Sequence, residues 1–150
     1  MGQVHMPVYQ TSFEINAPPK LVWQVLTTLD RYTEWNPQIP LASGSLEEGA
    51  SIRLRLVLPS RPVMDLTAII EQAQPEQLLT WRGHVVAPWF FEGYRKFEIQ
   101  SIANNRSRVT HVEDIHGLFA PVFSLFMGGP VQKSHQALNA ALLARAESLQ

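Results

Sequence analysis

The amino-acid sequence contains no cysteine, which excludes disulfide bonds and catalysis by a thiol. It also has no excess of positive charge, because 12 Lys and Arg residues stand against 13 Asp and Glu residues and the formal net charge is −1. A nucleic-acid-binding domain would need a basic surface, so we expect no nucleic-acid partner. The uncharged stretch Gly117–Val131 is shorter than the roughly 18 residues of a membrane-spanning helix and contains two prolines, which predicts no transmembrane segment.

Several enzyme motifs are missing as well. The sequence has no Gly-x-Ser-x-Gly, the turn that carries the nucleophile in many hydrolases. It has no Gly-x-Gly-x-x-Gly or Walker-type phosphate loop, since Gly128-Gly129 is not followed by Lys-Ser or Lys-Thr. We therefore expect neither hydrolase nor nucleotide chemistry, and we predict no cofactor.

The composition is that of a folded domain, with 150 residues of which 45% are hydrophobic and 17% charged. A chain of this length can form one core without metal or disulfide bonds, so we predict a single domain over residues 1–150. The N-terminal residues MGQVHMPVYQ have neither the basic nor the apolar region of a secretion signal, and we expect a cytoplasmic protein. His5 and His84 are expected to be exposed.

Helical patterns occupy both ends of the chain. Asn16-Ala17-Pro18-Pro19 is typical of a capped helix start, and apolar residues at three- and four-residue spacing follow over residues 21–29. Asp30 is the expected cap of a second short helix that reaches Trp35, because Pro37 disfavours helical dihedral angles at the residue before it. A long helix is predicted at the C-terminal end. Its apolar face comprises Val131, His135, Leu138 and Leu142.

Between the helices the period of the apolar residues changes to two, which predicts strands with one buried face. Tyr9–Ile15 forms a strand before the first helix, and about six more strands lie between Ser43 and Gly117. Short turns join them, so the sheet should be antiparallel and the fold class α+β.

The order of these elements and several local motifs resembles the START-like, or SRPBCC, superfamily, and within it the polyketide cyclase/dehydrase and lipid-transport group. The resemblance covers nearly the whole chain from about Tyr9. The matching segments are INAPPKLVWQVLTTLDRYTEWNP, Leu79-x-Trp81-x-Gly83, Gly93–Ile99, Thr110–Gly117 and Asn139-x-x-Leu142 with Glu147.

This resemblance implies a helix-grip fold, in which a curved antiparallel sheet of six to seven strands wraps around the long C-terminal helix, with two short helices after strand 1. It also implies an internal cavity. Its members include lipid carriers, ligand binders and aromatase/cyclases, so the use of the cavity does not follow from the fold. Relatives often have a histidine at the position of Arg95 and more often an apolar residue at His135.

Four polar residues interrupt the inward apolar faces: Arg95, His111 and Glu113 on strands and His135 on the helix. A buried charge is costly unless it is paired, so we expect Arg95 and Glu113 to meet each other or to reach water in a cavity. The pair either anchors the sheet or orients a ligand. His111 and Glu113 share a face and are the candidate catalytic acid and base. Nothing in the spacing brings both histidines and Glu113 around one ion, and we predict no metal.

The leading hypothesis is that the protein binds or carries a small hydrophobic molecule, a lipid, polyketide or aromatic-like compound, in an internal cavity. The alternative is a cyclase- or dehydratase-type enzyme that uses His111 and Glu113 in the same cavity. The predicted ligand-binding residues are Leu54, Leu66, Trp81, Phe91, Arg95, Phe97, His111, Glu113, His135, Leu138 and Leu142.

Two apolar segments, Val85–Phe90 and Leu118–Met127, lie outside the strand pattern and should cover other apolar surface. Packing of the long helix's first turns explains most of the second segment. The alternative is a gate at the cavity mouth or a contact between two copies in a homodimer. The residues of this predicted gate are Trp89, Phe90, Phe126 and Met127.

Overall fold

The computed structural model describes residues 8–84 and 87–150. Its elements are β1 (Val8–Ile15), α1 (Pro19–Thr27), a 3₁₀ helix (Leu29–Glu34), β2 (Leu41–Gly44), β3 (Ser51–Leu56), β4 (Met64–Gln74), β5 (Leu78–His84), β6 (Glu92–Ala103), β7 (Arg106–His116) and α2 (Ala120–Ser148). Residues 1–7 lie outside the described residues, and they include His5 and most of the N-terminal segment in which no secretion signal was predicted. Val85 and Val86 of the predicted apolar loop also lie outside them.

The strands form one antiparallel sheet in the order β1-β7-β6-β5-β4-β3-β2. The sheet is curled, and α2 lies against β1, β7 and α1. The predicted α+β helix-grip fold is confirmed.

Alternation along the strands sets which side chains face inward, as the period of two predicts. On β7, four alternate residues from Val109 to Ile115 are buried. On β6, three alternate residues from Arg95 to Ile99 are buried. Polar residues at these positions are therefore held inside the fold by the pattern of their apolar neighbours.

The strand β7 ends before Gly117, as predicted. Gly117 has a φ of +120°, and a Cβ atom there would lie 2.7 Å from the carbonyl oxygen of Phe90. Only glycine fits this conformation and this close approach, so Gly117 fixes where the chain leaves the sheet and enters α2.

The two short helices form where predicted, but both expected caps are wrong. Pro18 rather than Asn16 is the residue before α1, and its carbonyl accepts the backbone N–H groups of Leu21 and Val22. The 3₁₀ helix follows Thr28 rather than Asp30. Asn16 instead ties the chain ends together, because its backbone N–H donates to Glu147 on α2 at 2.9 Å.

The helix α2 begins at Ala120, before the apolar face that we predicted from Val131 onward, and it runs through Pro130. Proline has no N–H to donate to the carbonyl four residues before it. Here the guanidinium of Arg61 donates to that carbonyl, Phe126 O, at 2.8 Å, and its Nε lies 3.1 Å from Met127 Sδ. The turn after β3 thus supplies the hydrogen bond that the helix loses.

The interior has two apolar clusters. The larger joins α1, the C-terminal half of α2 and the sheet, and includes Leu138 and Leu142. The smaller surrounds Ile115 and Val131 beneath the N-terminal half of α2. No helix among the described residues is long and apolar enough to cross a membrane.

Candidate functional site

A cluster of polar side chains lies on the concave face of the sheet, between the two apolar clusters. Strand register brings its members together, since Arg95 on β6 pairs with Glu113 on β7, and His111 on β7 pairs with Thr11 on β1. The helix α2 adds His135 and, one turn later, Asn139.

Arg95 and Glu113 meet, as the cost of unpaired buried charge led us to expect. Arg95 Nη2 lies 3.3 Å from Glu113 Oε2, and each side chain is 9% exposed. Gln38 bridges the pair, because it accepts from Arg95 Nη1 at 2.6 Å and donates to Glu113 Oε1 at 3.1 Å. The two charges therefore neutralise each other in a largely buried setting.

The position of Gln38 follows from the loop after the 3₁₀ helix. The side-chain oxygen of Asn36 accepts the backbone N–H groups of Gln38 and Ile39, at 3.0 and 2.8 Å. This turn, made by an asparagine that bonds its own following backbone, directs the Gln38 amide inward, where it is completely buried.

Arg95 also begins a chain of hydrogen bonds whose donors can be assigned. A guanidinium can only donate, so His111 Nε2 accepts from Arg95 Nη1 at 2.9 Å. The other nitrogen, His111 Nδ1, then carries the proton and donates to Asn139 Oδ1 at 2.8 Å. Asn139 Nδ2 in turn donates to Thr11 Oγ1 at 2.6 Å.

The chain closes on the ion pair. The Thr11 hydroxyl donates to His135 Nε2 at 2.7 Å, and His135 Nδ1 donates to Glu113 Oε1 at 2.9 Å. Because Arg95 Nη2 also faces Glu113 Oε2, the six side chains form a closed ring. Five hydrogen bonds run in one direction from Arg95 through His111 to Glu113, and the direct Arg95–Glu113 contact closes the ring from the other side. This hydrogen-bond ring fits a neutral His111, with Arg95 and Glu113 charged.

The surroundings hold these protonation states. Burial and the nearby Arg95 charge set the pKa of His111 well below its usual value, which keeps the His111 imidazole neutral. Burial alone would raise the pKa of Glu113, but Arg95 and the hydrogen bond from His135 outweigh it and lower this pKa to about 2. Glu113 is therefore a carboxylate at any physiological pH.

His111, Glu113 and His135 have ligand atoms within 4.8 Å of one another, a spacing compatible with a metal site. The two imidazole rings are stacked, however, with centroids 3.9 Å apart and planes 4° from parallel. Their in-plane lone pairs run side by side and do not converge on one ion, and Arg95 occupies His111 Nε2. The donor set does not fit a tetrahedral or octahedral metal centre.

A cavity adjoins the polar cluster. It has about 80 Å³ that the centres of water molecules can reach. Its polar end is formed by Gln38, Arg95 and Glu113, and its other walls are mainly apolar. Those walls include Ile39, Leu54, Leu56, Leu58, Met64, Leu66, Ala68, Trp81, Phe91, Ile115, Phe123 and Val131.

Six of the predicted ligand-binding residues line this cavity: Leu54, Leu66, Trp81, Phe91, Arg95 and Glu113. The other five do not: Phe97, His111, His135, Leu138 and Leu142. The difference arises because the C-terminal half of α2 packs directly on the sheet, so that the space remains only beneath its N-terminal half. His111 and His135 lie behind the ion pair.

Several site residues escaped the sequence reasoning. Gln38 stands between two prolines in a loop, where no periodicity marks an inward side chain. Asn139 follows His135 by one helical turn, a spacing that could have indicated it. His84 is exposed, as expected, but it also borders the cavity.

The four residues of the predicted gate are not among those that line the cavity. The side chains of Trp89 and Phe126 are exposed, at 67% and 64%. Phe90 packs on Phe119 with ring centroids 4.4 Å apart, and Met127 packs against the smaller cluster. A gating or dimer-forming role for them stays a prediction.

The fold of this protein is similar to solved structures of other proteins over nearly the whole chain. Among solved structures, Zhui aromatase/cyclase from Streptomyces sp. R1128 has a TM-score of 0.78 at 19% identity and covers 95% of this chain and 94% of its own. A hypothetical protein from Helicobacter pylori reaches 0.77 at 16% identity, covering 93% of this chain and 88% of its own. A START superfamily protein from Mycobacterium smegmatis reaches 0.73 at 14% identity, covering 95% and 99%.

These TM-scores establish a shared fold. No curated protein matches the sequence. Residues 6–147 match the family described as polyketide cyclase / dehydrase and lipid transport. The resemblance seen in the sequence is confirmed, and the chain belongs to this family of the START-like, or SRPBCC, superfamily.

Proposed function

We propose that the protein binds a small, mainly apolar molecule in the cavity between the sheet and α2. The observation that carries this proposal is the composition of the walls, which are mainly apolar, with Gln38, Arg95 and Glu113 at one end and His84 and Tyr94 as the other polar side chains. Ligand sites typically combine apolar walls with a few polar groups that fix orientation. Trp81 adds an aromatic wall beside Arg95, whose guanidinium lies 5.9 Å from the Trp81 ring centroid.

The size of the cavity limits which ligands can fit. About 80 Å³ is several times the roughly 10–15 Å³ that a single water needs on the same measure. A compact aromatic or polyketide-like ring suits this space better than a whole acyl chain. A larger ligand would require the N-terminal half of α2 to move, where Gly128, Gly129 and Pro130 weaken the helix.

Native mass spectrometry of gently purified protein tests this function, together with a thermal-shift screen of neutral aromatic compounds. The proposal predicts a copurifying small molecule, or a rise in melting temperature with at least one ring-sized compound. A protein that carries no ligand and responds to no apolar probe contradicts it.

The alternative function is a cyclase- or dehydratase-type reaction with His111 and Glu113 as acid and base. The family description and the resemblance to an aromatase/cyclase favour it. The geometry supports it less, because His111 is completely buried and both of its nitrogens are engaged, so that it has no free position for a substrate proton. If such a substrate is found, an enzyme of this kind must lose most of its turnover on Glu113→Gln.

A further inference from the structure

The hydrogen-bonding capacity that Arg95 and Glu113 have left defines what the cavity can recognise. Both N–H groups of Arg95 Nη1 are used, by Gln38 and His111, and one of Nη2 faces Glu113. Arg95 Nε and the second N–H of Nη2 make no hydrogen bond to the described residues. Glu113 Oε1 accepts from Gln38 and His135, whereas Oε2 has only Arg95 among them.

The cavity wall therefore offers a donor and an acceptor side by side. Arg95 and Glu113 both line the cavity, and the atoms that join them are 3.3 Å apart. A hydroxyl group can use both at once, because it accepts from the guanidinium and donates to the carboxylate. A carboxylate ligand can use only the first.

The net charge at this end of the cavity is zero. The single positive charge of Arg95 is cancelled by Glu113, and Gln38 is uncharged. Behind them, His111 is neutral, because its Nε2 accepts from Arg95. The remaining titratable residues that line the cavity are His84, which is exposed, and Tyr94. An anion entering here would lose its hydration without gaining a free counter-charge, and it would lie close to Glu113.

We propose that the cavity selects uncharged ligands that carry a hydroxyl group, such as phenols and alcohols, and rejects carboxylates, including free fatty acids. This inference rests on the proposed function and adds the chemical class of the ligand. The Arg95–Glu113 pair acts as a neutral recognition element, and the apolar walls hold the rest of the molecule.

Calorimetric titration of the wild-type protein at pH 7 with three matched compounds tests the proposal. These are 4-propylphenol, 4-propylbenzoate and propylbenzene, which share one apolar body and differ in the head group. We expect the phenol to bind at least about tenfold more tightly than the other two. One hydrogen bond to a charged group contributes at least about this factor to the affinity. Binding of the carboxylate as tightly as the phenol overturns the selectivity and leaves the proposed function intact. Binding of none of the three overturns both.

Removing the charge of Glu113 tests whether the Arg95–Glu113 pair causes the preference for the phenol. Glu113→Gln leaves Arg95 without its counter-charge, so the preference should reverse and 4-propylbenzoate should bind more tightly than 4-propylphenol. Asp65→Asn is the matched control, because it removes a carboxylate from the exposed Arg55–Asp65 pair on the sheet. It should retain the wild-type preference. A Glu113→Gln protein that still prefers the phenol contradicts the proposal, and the wild-type titration decides the matter if this variant does not fold.

Discussion

At the scale of single residues, His111 connects the site to the pH dependence of stability. Its pKa in the folded protein is well below the usual value of about 6.5, because it is buried and lies beside Arg95. The unfolded chain therefore takes up a proton below about pH 6.5 that the folded chain does not. A group of this kind lowers stability as the pH falls.

We predict that the free energy of unfolding decreases between pH 7 and pH 5, with His111 contributing up to about 1.4 kcal/mol per pH unit in the lower part of this range. Urea unfolding at several pH values measures it. The His111→Asn variant should show a smaller slope, because it has no imidazole to titrate. An unchanged slope would mean that His111 is protonated equally in both states.

Glu113 gives a second, more acidic window. Its folded pKa of about 2 lies below the ordinary value of 4.5, so its ion pair stabilises the protein above about pH 4.5 and this contribution is lost as the pH falls towards 2. The Glu113→Gln variant should be less stable than wild type at pH 7, and the difference should shrink at pH 3. A difference that stays constant with pH contradicts the assignment of Glu113 as a buried carboxylate.

Thr11 tests the hydrogen-bond ring itself. Replacing it with valine keeps the shape but leaves His135 Nε2 and Asn139 Nδ2 without their partner, at a cost of about 1–3 kcal/mol for the buried His135 and less for the partly buried Asn139. Chemical denaturation measures the loss. Ser12→Val is the control, since Ser12 is exposed on the other face of β1 and should change stability by less than about 0.5 kcal/mol. Equal effects of the two variants would show that the ring does not stabilise the fold.

At the scale of elements, α2 tolerates Pro130 because Arg61 donates to Phe126 O the hydrogen bond that proline cannot donate. Pro130→Ala restores the N–H to Phe126 O and should stabilise the protein by roughly 1–3 kcal/mol. Arg61→Ala should speed amide hydrogen exchange over residues 120–127 in the wild type and have little effect in the Pro130→Ala background. If Arg61→Ala had the same effect in the wild type and in the Pro130→Ala background, Arg61 would not be replacing the missing N–H of Pro130.

The elements also show how far the sequence could lead. Alternation in β6 and β7 was enough to predict that Arg95, His111 and Glu113 point inward, because a period of two fixes the face of every residue. Periodicity marks α2 only from Val131, although the apolar segment before it was interpreted as the helix's first turns. The continuation of the helix through Gly128-Gly129-Pro130 was not predictable, because the compensating Arg61 is distant in sequence. Gln38 was missed for a related reason, because a turn made by Asn36 sets its direction and no periodicity does.

At the scale of the whole molecule, the position of the cavity depends on how α2 lies on the sheet. Leu138 and Leu142 belong to a helical face that the sequence predicts to be buried, and it is, but it fills the concave side at that end. The space lies instead beneath Phe123 and Val131. Sequence periodicity identifies which face is buried and does not tell whether it meets side chains or a hollow.

Gly93 offers direct access to that hollow. It lines the cavity on β6, and a Cβ atom there would have no neighbour within 4 Å. A leucine at this position can fill the space without displacing the backbone, and a strand tolerates leucine better than glycine. The matched control is Gln100→Leu, which adds the same side chain to the same strand at an exposed position.

Calorimetric titration of 4-propylphenol into the wild type, Gly93→Leu and Gln100→Leu is the most direct test of whether the ligand binds in this cavity. Binding to the wild type and to Gln100→Leu should be alike, and Gly93→Leu should bind at least about tenfold more weakly while its melting temperature is unchanged or higher. A Gly93→Leu protein that binds the phenol as tightly as the wild type would contradict a binding site between the sheet and α2.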